Sequence, residues 1–239
     1  MKKKLALLIV CAAALGLVCR TGGESVPTGG GGVVKVPQDP PLVALTFDDG
    51  PRADTTGPLL EGLALREVPS TFFLLGHRIS GNEGLVKEMA TAGHQIGIHT
   101  WDHVMLSGVT AEEFYRQTGQ TRDLLAGILG ERDYWLRPPY GIMDPELERL
   151  EEGPLIIWSV DPEDWKDRDV ERIVNEVLSQ AEDGDIILMH DIYPSSVEAA
   201  LAIVDALLDR GFCFVTVEQL MDLRGVEPQA GVRYDAVPF

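Results

Sequence analysis

The stretch Leu42-Val-Ala-Leu-Thr-Phe-Asp-Asp-Gly-Pro51 begins as an apolar run of strand-forming residues and ends on two adjacent carboxylates before Gly-Pro. A run that is apolar on both faces predicts a strand buried in a parallel sheet, and the Gly-Pro pair predicts a turn. Because successive strand residues point to opposite faces, Asp48 and Asp49 cannot share a pocket as ordinary strand neighbours. We therefore expect different roles for them, with one carboxylate binding a metal ion and the other staying ionised beside it.

Further apolar runs follow this strand and alternate with stretches of helical periodicity. The predicted strands are residues 42–47, 70–75, 95–98, 133–137, 155–160, 185–189 and 212–217, and the predicted helices are residues 56–67, 82–92, 111–129, 170–182 and 196–210. Buried strands that are each followed by a helix indicate an α/β fold with a parallel sheet. Seven or eight such units favour a closed (β/α) barrel, and an open doubly wound sheet is the alternative.

Composition and charge narrow the class of protein. With 239 residues the chain is long enough for one large α/β domain, and 45% hydrophobic with 24% charged residues is typical of a globular protein. The formal net charge of -18 argues against a nucleic-acid partner, because phosphate binding needs clustered Lys and Arg.

The two ends of the chain differ from its middle. Residues 1–20 combine three lysines with an apolar run, which is typical of an export signal and predicts action outside the cytoplasmic membrane. A cleaved signal, a lipid anchor at Cys19 and an uncleaved membrane anchor all remain open. Residues 21–41 are rich in Gly and Pro and predict a flexible tether, so the folded domain is expected at 42–224. The tail at 225–239 is expected either to be disordered or to cap the barrel, and the oligomeric state is not predicted.

Ionisable residues stand where five of the predicted strands end: Asp48 and Asp49, His99 with His103, Arg137, Asp161, and His190 with Asp191. Functional groups of α/β proteins collect at the carboxyl ends of their strands, so we expect these side chains to meet. Two histidines four residues apart on a helical turn, together with one carboxylate, form a three-ligand site with an open position for water, as catalytic zinc requires. The alternative for this pair alone is chance proximity of two histidines on a polar loop.

The residues Thr46-Phe-Asp-Asp-Gly-Pro51, His99-x-x-x-His103, Arg137-Pro-Pro-Tyr140, Asp161-Pro-Glu-Asp-Trp165 and Leu188-Met-His190 follow one another in this order. Together they resemble the five motifs of the polysaccharide deacetylase family, also called carbohydrate esterase family 4 or the NodB-homology domain. The resemblance covers residues 42–224 and implies a distorted barrel of seven or eight βα units.

The resemblance also implies roles for individual residues. Asp49, His99 and His103 would hold a divalent metal ion, zinc first, with cobalt or another divalent ion possible. Asp48 would be the general base, and Arg137 would pair with it and keep it ionised.

Four further roles are implied around the substrate. The backbone N–H of Tyr140 would stabilise the oxyanion, and His190 would be the general acid, oriented by Asp161. Trp165 and Leu188 would line a pocket for the acetyl methyl group, although either could be ordinary core. His77 and His94 have no companion ligands in the sequence and are expected to be structural.

The expected function is a secreted or surface-tethered, metal-dependent removal of N-acetyl groups from N-acetylglucosamine units of a polysaccharide, either peptidoglycan or a chitin-like oligomer. An O-acetyl esterase acting on acetylated xylan and a non-catalytic carbohydrate-binding module are the alternatives. The acidic surface mildly favours chitin-like oligomers, because it should repel anionic wall polymers, whereas the export signal favours the cell wall.

Overall fold

Seven parallel strand segments and eight α-helices make up the part of the chain that the computed structural model describes, residues 40–238. The strands are β1 (Leu42–Asp48), β2 (Thr71–Leu74), β3 (Gln95–Ile98), β4 (Leu155–Ile156), β5 (Asp185–His190), β6 (Cys213–Phe214) and β7 (Arg233–Tyr234). The helices are α1 (Ala53–Leu65), α2 (Gly76–Ile79), α3 (Glu83–Thr91), α4 (Ala111–Leu129), α5 (Pro145–Glu148), α6 (Val170–Gln180), α7 (Pro194–Asp209) and α8 (Val217–Arg224), and a short 3-10 turn spans Pro139–Gly141. The predicted export segment at 1–20, and the predicted tether up to residue 39, lie outside the described residues.

The strands, β1 among them, close into a ring. Parallel pairing runs in the order β3-β2-β1-β5, and β6 pairs with the start of β1. Single parallel bridges complete the ring, because Leu136 pairs with Ile98 of β3 and Leu155 of β4, and Val160 pairs with Ile187 of β5. The predicted α/β barrel is therefore confirmed in a distorted form, with a single domain built around it.

Alternation along the strands separates two apolar clusters. All seven residues of β1 are buried. Val43, Leu45 and Phe47 belong to the cluster between the strands and the surrounding helices. Leu42 and Ala44 belong to a second cluster, which also contains Leu220 and Met221 of α8 and Val237 of the tail. This second cluster fills the barrel at the amino ends of the strands and leaves the carboxyl ends to polar side chains.

Three of the predicted strands are regular over only part of their length or not at all, and one of them, 155–160, is paired at Leu155–Ile156 and through a single bridge at Val160. The segment 133–137 pairs only through Leu136, because Pro138 and Pro139 follow it and cannot donate to a ladder. It is still fixed to β3, since Ile98 N–H donates to Trp135 O at 2.8 Å and Arg137 N–H donates to Ile98 O at 3.0 Å. The segment 212–217 is paired only over β6, because the chain turns into α8 immediately afterwards.

Sequence reasoning missed α8 and left the state of the tail open. Thr216 and Gln219 form a capping box at the start of α8, in which each side chain accepts a hydrogen bond from the other residue's backbone N–H. In the tail, β7 pairs with β4, and Val237 N–H donates to Gly184 O at 2.8 Å. Over residues 225–238 the tail therefore packs on the barrel and caps it.

The helix limits differ from prediction mainly at the amino ends. Helix α1 begins at Ala53 instead of residue 56, and α7 begins at Pro194 instead of residue 196, with proline at its first position. Helix α4 spans the predicted residues 111–129. Within residues 40–238, no helix has the length and apolar character needed to cross a membrane.

Candidate active site

The register between β1 and β5 places four functional positions on one face at the carboxyl end of the barrel. Asp48 lies opposite His190, and Thr46 lies opposite Leu188. Residues two apart on a strand point the same way, so these side chains share the barrel interior above the second apolar cluster. The strand-end prediction that Asp48 and His190 meet is thus matched by the backbone register.

The turn after β1 gives Asp49 a direction different from that of Asp48. Asp49 adopts a left-handed backbone conformation with φ of 74°, which brings its carboxylate back toward His99. Asp49 Oδ1 lies 3.7 Å from His99 Nε2 and 3.4 Å from His103 Nε2. One ligand atom from each of Asp49, His99 and His103 lies within 4.8 Å of the others, so the three residues could hold one metal ion.

Three observations fit a cation at this position. Asp49 Oδ1 is buried and accepts no hydrogen bond within residues 40–238, which is costly for a carboxylate that has no positive partner. His99 Nδ1 donates to Arg137 O at 2.7 Å, which leaves Nε2 as the lone-pair atom facing the carboxylates. Burial lowers the pKa of His99 to about 3, so its ring is neutral and able to ligate.

The backbone around this cluster is strained. Asp49, Thr100, His103 and Tyr140 are non-glycine residues with φ between 60° and 74°. Such conformations cost on the order of 1 to 3 kcal/mol each and persist where the surrounding structure enforces them, often at functional sites. Tyr140 packs edge-on against the His103 ring with 4.7 Å between ring centroids, so the strained 3-10 turn borders the candidate metal ligands.

Arg137 is fully buried, and its guanidinium N–H groups donate to Asp48, to Thr46 and to neighbouring backbone carbonyls. Its Nη1 donates to Asp48 Oδ1 at 2.8 Å and to Thr46 Oγ1 at 2.7 Å. Its Nε donates to Ile156 O at 3.1 Å and its Nη2 to Ile157 O at 2.7 Å, while its guanidinium carbon lies 4.2 Å from the centre of the Phe73 ring. A guanidinium held at this many points fixes the orientation of the Asp48 carboxylate.

The charge state of Asp48 reflects two opposing effects. Burial raises its pKa, and the adjacent Arg137 guanidinium acts in the opposite direction through its charge and its hydrogen bond. Asp48 Oδ2 lies 3.6 Å from His99 Nε2, beside the candidate metal ligands. A buried carboxylate next to that site, held by one arginine, is suited to accept a proton.

The carboxylate that orients His190 is Asp164, and the expectation for Asp161 is corrected here. His190 Nδ1 lies 2.7 Å from Asp164 Oδ1, and the His190 backbone N–H donates to Asp164 Oδ2 at 2.9 Å. Asp161 Oδ1 instead accepts the Glu163 backbone N–H at 2.8 Å. The sequence motif contains both carboxylates, and only the turn between them decides which one reaches the imidazole.

Opposing influences act on the pKa of His190. Burial lowers it, but the hydrogen bond and charge of Asp164, together with the charges of Asp48 and Asp49, outweigh burial and raise the pKa of His190 to about 9. The imidazole therefore carries a proton at neutral pH, as a general acid must.

The two candidate acetyl-pocket residues have different surroundings. Leu188 is 3% exposed but belongs to neither apolar cluster, which fits a side chain that lines a site at the barrel mouth. Trp165 is 47% exposed and Tyr140 is 57% exposed, so both present aromatic surface to solvent near the strand ends.

Asp191 is a buried residue whose role the sequence did not predict. Its Oδ2 accepts a hydrogen bond from Thr56 Oγ1, and its Oδ1 has no hydrogen-bond partner within residues 40–238. A Cβ atom at Gly50 would come within 2.3 Å of Asp191 Oδ2, so the turn after Asp49 needs glycine there. Burial raises the pKa of Asp191 to about 7.

Of the two histidines expected to be structural, His94 fits that description directly. Its Nδ1 accepts the Ser70 backbone N–H at 3.0 Å, and its ring is buried. His77 Nδ1 donates to Trp101 O at 2.7 Å, but the ring itself is exposed.

Comparison with known proteins gives consistent similarities. A family model described as "Polysaccharide deacetylase" matches residues 35–152. The peptidoglycan-N-acetylmuramic acid deacetylase PdaC of Bacillus subtilis is 40% identical over 183 residues, which are 77% of this chain and 39% of that protein. A peptidoglycan-N-acetylglucosamine deacetylase of Bacillus cereus is 36% identical over 78% of this chain and 91% of its own length.

Solved structures share the fold as well. The structure of a family 4 acetyl xylan esterase from Clostridium thermocellum, in complex with a cobalt ion, superposes with a TM-score of 0.79 at 29% identity over 83% of this chain and 100% of that one. The chain spans less than half the length of PdaC, so the similarity to PdaC concerns one part of a longer protein.

Proposed function

Because this chain belongs to the polysaccharide deacetylase family, we propose that it hydrolyses N-acetyl groups of a cell-wall polysaccharide, peptidoglycan first, and releases acetate. One observation carries this proposal. A three-ligand cluster, a buried carboxylate beside it and a protonated imidazole lie together at the carboxyl end of one barrel. These groups are a complete set for water attack on an acyl group that has a poor leaving group.

Asp49, His99 and His103 would hold a divalent ion, with zinc as the first candidate, since two imidazoles and one carboxylate are a common catalytic zinc set. The cobalt ion in the related esterase structure supports a divalent ion of this class. When bound, the ion polarises the acetyl carbonyl and makes water more acidic.

The protein side chains would then move two protons. Asp48, ionised and oriented by Arg137, takes the proton of the attacking water as the C–O bond forms. The backbone N–H of Tyr140 donates to the oxygen that becomes negative. As the C–N bond breaks, His190 gives its Nε2 proton to the amine nitrogen, while Asp164 holds the ring through Nδ1. Leu188 and Trp165 would contact the acetyl methyl group.

An ester substrate is the second candidate, and the similarity to the acetyl xylan esterase favours it. The raised pKa of His190 weighs toward the amide, because it keeps a proton available at neutral pH for an amine that must be protonated to leave, whereas an alkoxide depends less on protonation. The binding-module alternative has less support, because the base, the acid and all three candidate ligands are present.

The place of action is also a proposal. The relatives named for peptidoglycan and the export-like residues 1–20 support extracytoplasmic action, with membrane contact limited to the amino-terminal segment.

Acetate release tests the proposed function. The purified protein is assayed on peptidoglycan, chitooligosaccharides and acetylated xylan as isolated, after chelation, and after zinc is added back. We expect release that disappears on chelation, returns with zinc and is absent in Asp48→Asn. Release from xylan alone would establish the esterase instead, and no release from any substrate by metal-loaded protein would reject the enzyme.

A further inference from the structure

A cavity of about 430 Å³ opens beside the candidate active site at the same end of the barrel. Its walls include Pro51, Arg52, Ala53, His77, Arg78 and Asn82. These residues follow the carboxyl ends of β1 and β2, where an α/β barrel places its functional loops. None of them has a role in the hydrolysis described above.

The loop after β1, which carries Asp49, borders this cavity, and the loop that carries His99 and His103 is hydrogen-bonded to one of its walls. Pro51 is two residues beyond Asp49, and Leu75 N–H donates to Gly50 O at 3.0 Å. His77 donates to Trp101 O through its backbone N–H at 3.2 Å and through Nδ1 at 2.7 Å. Because Trp101 lies between His99 and His103 in the chain, these hydrogen bonds join the cavity wall at His77 to the segment that carries two candidate metal ligands.

The charge in the cavity is opposite to that of the molecule. Arg52 is already neutralised, since its Nε and Nη2 donate to Asp54 at 2.7 Å and 2.9 Å. Arg78 takes part in none of the ion pairs found within residues 40–238, although its backbone is held by a hydrogen bond from Asn82 Nδ2 to Arg78 O at 2.9 Å. In a chain of net charge -18, this guanidinium gives the cavity a local positive charge that can attract an anionic group.

A second positive contribution comes from α1. Its first residue, Ala53, lines the cavity, so the amino end of a thirteen-residue helix lies in the same wall as Arg78. The amino ends of helices favour anions through their free N–H groups and dipole. This adds to the guanidinium, which remains the principal group.

We propose that this cavity binds a carboxylate of the peptidoglycan strand, adjacent to the sugar whose acetamide is hydrolysed. The inference rests on the proposed function and adds the substrate class, namely carboxylate-bearing strands in preference to neutral chitin-like oligomers. Arg78 pairs with the carboxylate, and the N–H groups at the start of α1 add to the positive wall. A local positive cavity thereby overcomes, at one point, the repulsion that the acidic surface exerts on an anionic polymer.

The carboxylate has two chemical sources. In a strand without peptide, the lactyl group of muramic acid carries it. In a strand with a stem peptide that lactyl group is amide-bonded, and the carboxylates belong to the peptide. A GlcNAc-MurNAc disaccharide and the corresponding disaccharide-peptide therefore separate the two sources, and chitotetraose serves as the uncharged reference.

Kinetics of Arg78→Gln test the inference in the metal-loaded full chain. The ratio of kcat/KM for the muramic acid substrate to kcat/KM for chitotetraose is expected to fall about fivefold to tenfold, because loss of an exposed charge pair of about 1 kcal/mol or slightly more corresponds to that factor. The fall should come from KM. Arg149→Gln is the matched control, since Arg149 is exposed, lies outside the cavity and is in none of the ion pairs of residues 40–238. Its ratio should equal that of the unmodified protein.

A binding measurement makes the test independent of turnover. Asp48→Asn protein, with and without Arg78→Gln, is titrated calorimetrically with both muramic acid probes and with their carboxylate methyl esters. Weaker binding of the acids, but not of the esters, by the Arg78→Gln protein would support the carboxylate site and identify the source. Equal binding of the acid by both proteins would overturn it, even if acetate release confirms the deacetylase. If no substrate releases acetate, the proposed function fails, and the titration still decides whether the cavity binds a carboxylate.

Discussion

Asp48 and Asp49 are adjacent in the chain but occupy different surroundings. Asp48 is the last residue of β1 and shares the barrel interior with Arg137, whereas Asp49 enters the left-handed turn and faces His103. The alternation rule and the following Gly-Pro predicted this division from sequence. The partner of His190 could not be predicted as well, because Asp161 and Asp164 lie in one irregular segment and no periodicity tells which carboxylate turns inward.

The first prediction at this scale concerns Asp164→Asn. In the proposed mechanism activity requires the protonated His190, so it should be lost as pH rises through the His190 pKa, which is about 9. Asp164 raises that pKa, and removal of its charge should move the basic limb of the pH profile of kcat/KM to lower pH. Asp161→Asn should move it less, because Asp161 makes no hydrogen bond to the ring. Equal basic limbs in Asp164→Asn and the unmodified protein would contradict the assignment of Asp164 as the partner of His190.

The second prediction concerns the buried pair of Arg137 and Asp48. Arg137→Met leaves a buried carboxylate without its counter-charge and Ile157 O without a donor, so the free energy of unfolding should fall by about 3 to 5 kcal/mol. Urea unfolding of the chelated protein measures this. Addition of Asp48→Asn should recover part of the loss, because no buried charge then remains. An unchanged unfolding midpoint in Arg137→Met would show that the pair contributes nothing.

At the scale of elements, the strands carry candidate site residues at their carboxyl ends, and the helices pack around the outside of the barrel. The five predicted helices and the strand ends at Asp48 and His190 could be read from the sequence, because apolar runs and caps are local signals. The segments around Leu136 and Val160 were predicted as strands, but their pairing through single bridges could not be predicted, because an apolar run does not show how many of its residues will pair. Helix α8 had a local signal, the capping box at Thr216. The apolar run at 212–217 was instead predicted as one strand, which extended into the start of the helix.

Helix α8 gives the prediction for this scale. Thr216→Ala removes the acceptor for Gln219 N–H at the start of the helix that closes the amino end of the barrel. The free energy of unfolding should fall by about 1 kcal/mol, as for other lost N-caps. Thr216→Ser retains the acceptor and should lose much less. Because α8 lies at the opposite end of the barrel from the candidate site, acetate release per folded molecule should not change. Equal stability of the Ala and Ser variants would exclude a capping role.

At the scale of the whole molecule, the barrel interior has two halves with different tasks. The amino-end half is apolar and is closed by α8 and Val237, and the carboxyl-end half holds Arg137, Asp48 and His190. The apolar packing and the candidate site are thus separated along the barrel axis, which is typical of this class of fold. The net charge of -18 is spread over this molecule, and the positive cavity at Arg78 is a local exception whose consequence for substrate choice is proposed above.

The most direct test of the account is the division of labour between the two adjacent aspartates, measured as zinc affinity and acetate release in the matched variants Asp48→Asn and Asp49→Asn. Loss of a ligand should weaken zinc binding in Asp49→Asn by about a hundredfold or more, since even loss of a ligand's supporting partner costs about 10-fold to 100-fold. Asp48→Asn should keep its zinc affinity within about tenfold while acetate release falls by about 10² to 10⁴. Zinc loss in Asp48→Asn with retention in Asp49→Asn, or undiminished acetate release in Asp48→Asn, would contradict the assignment of base and ligand on which the proposed function rests.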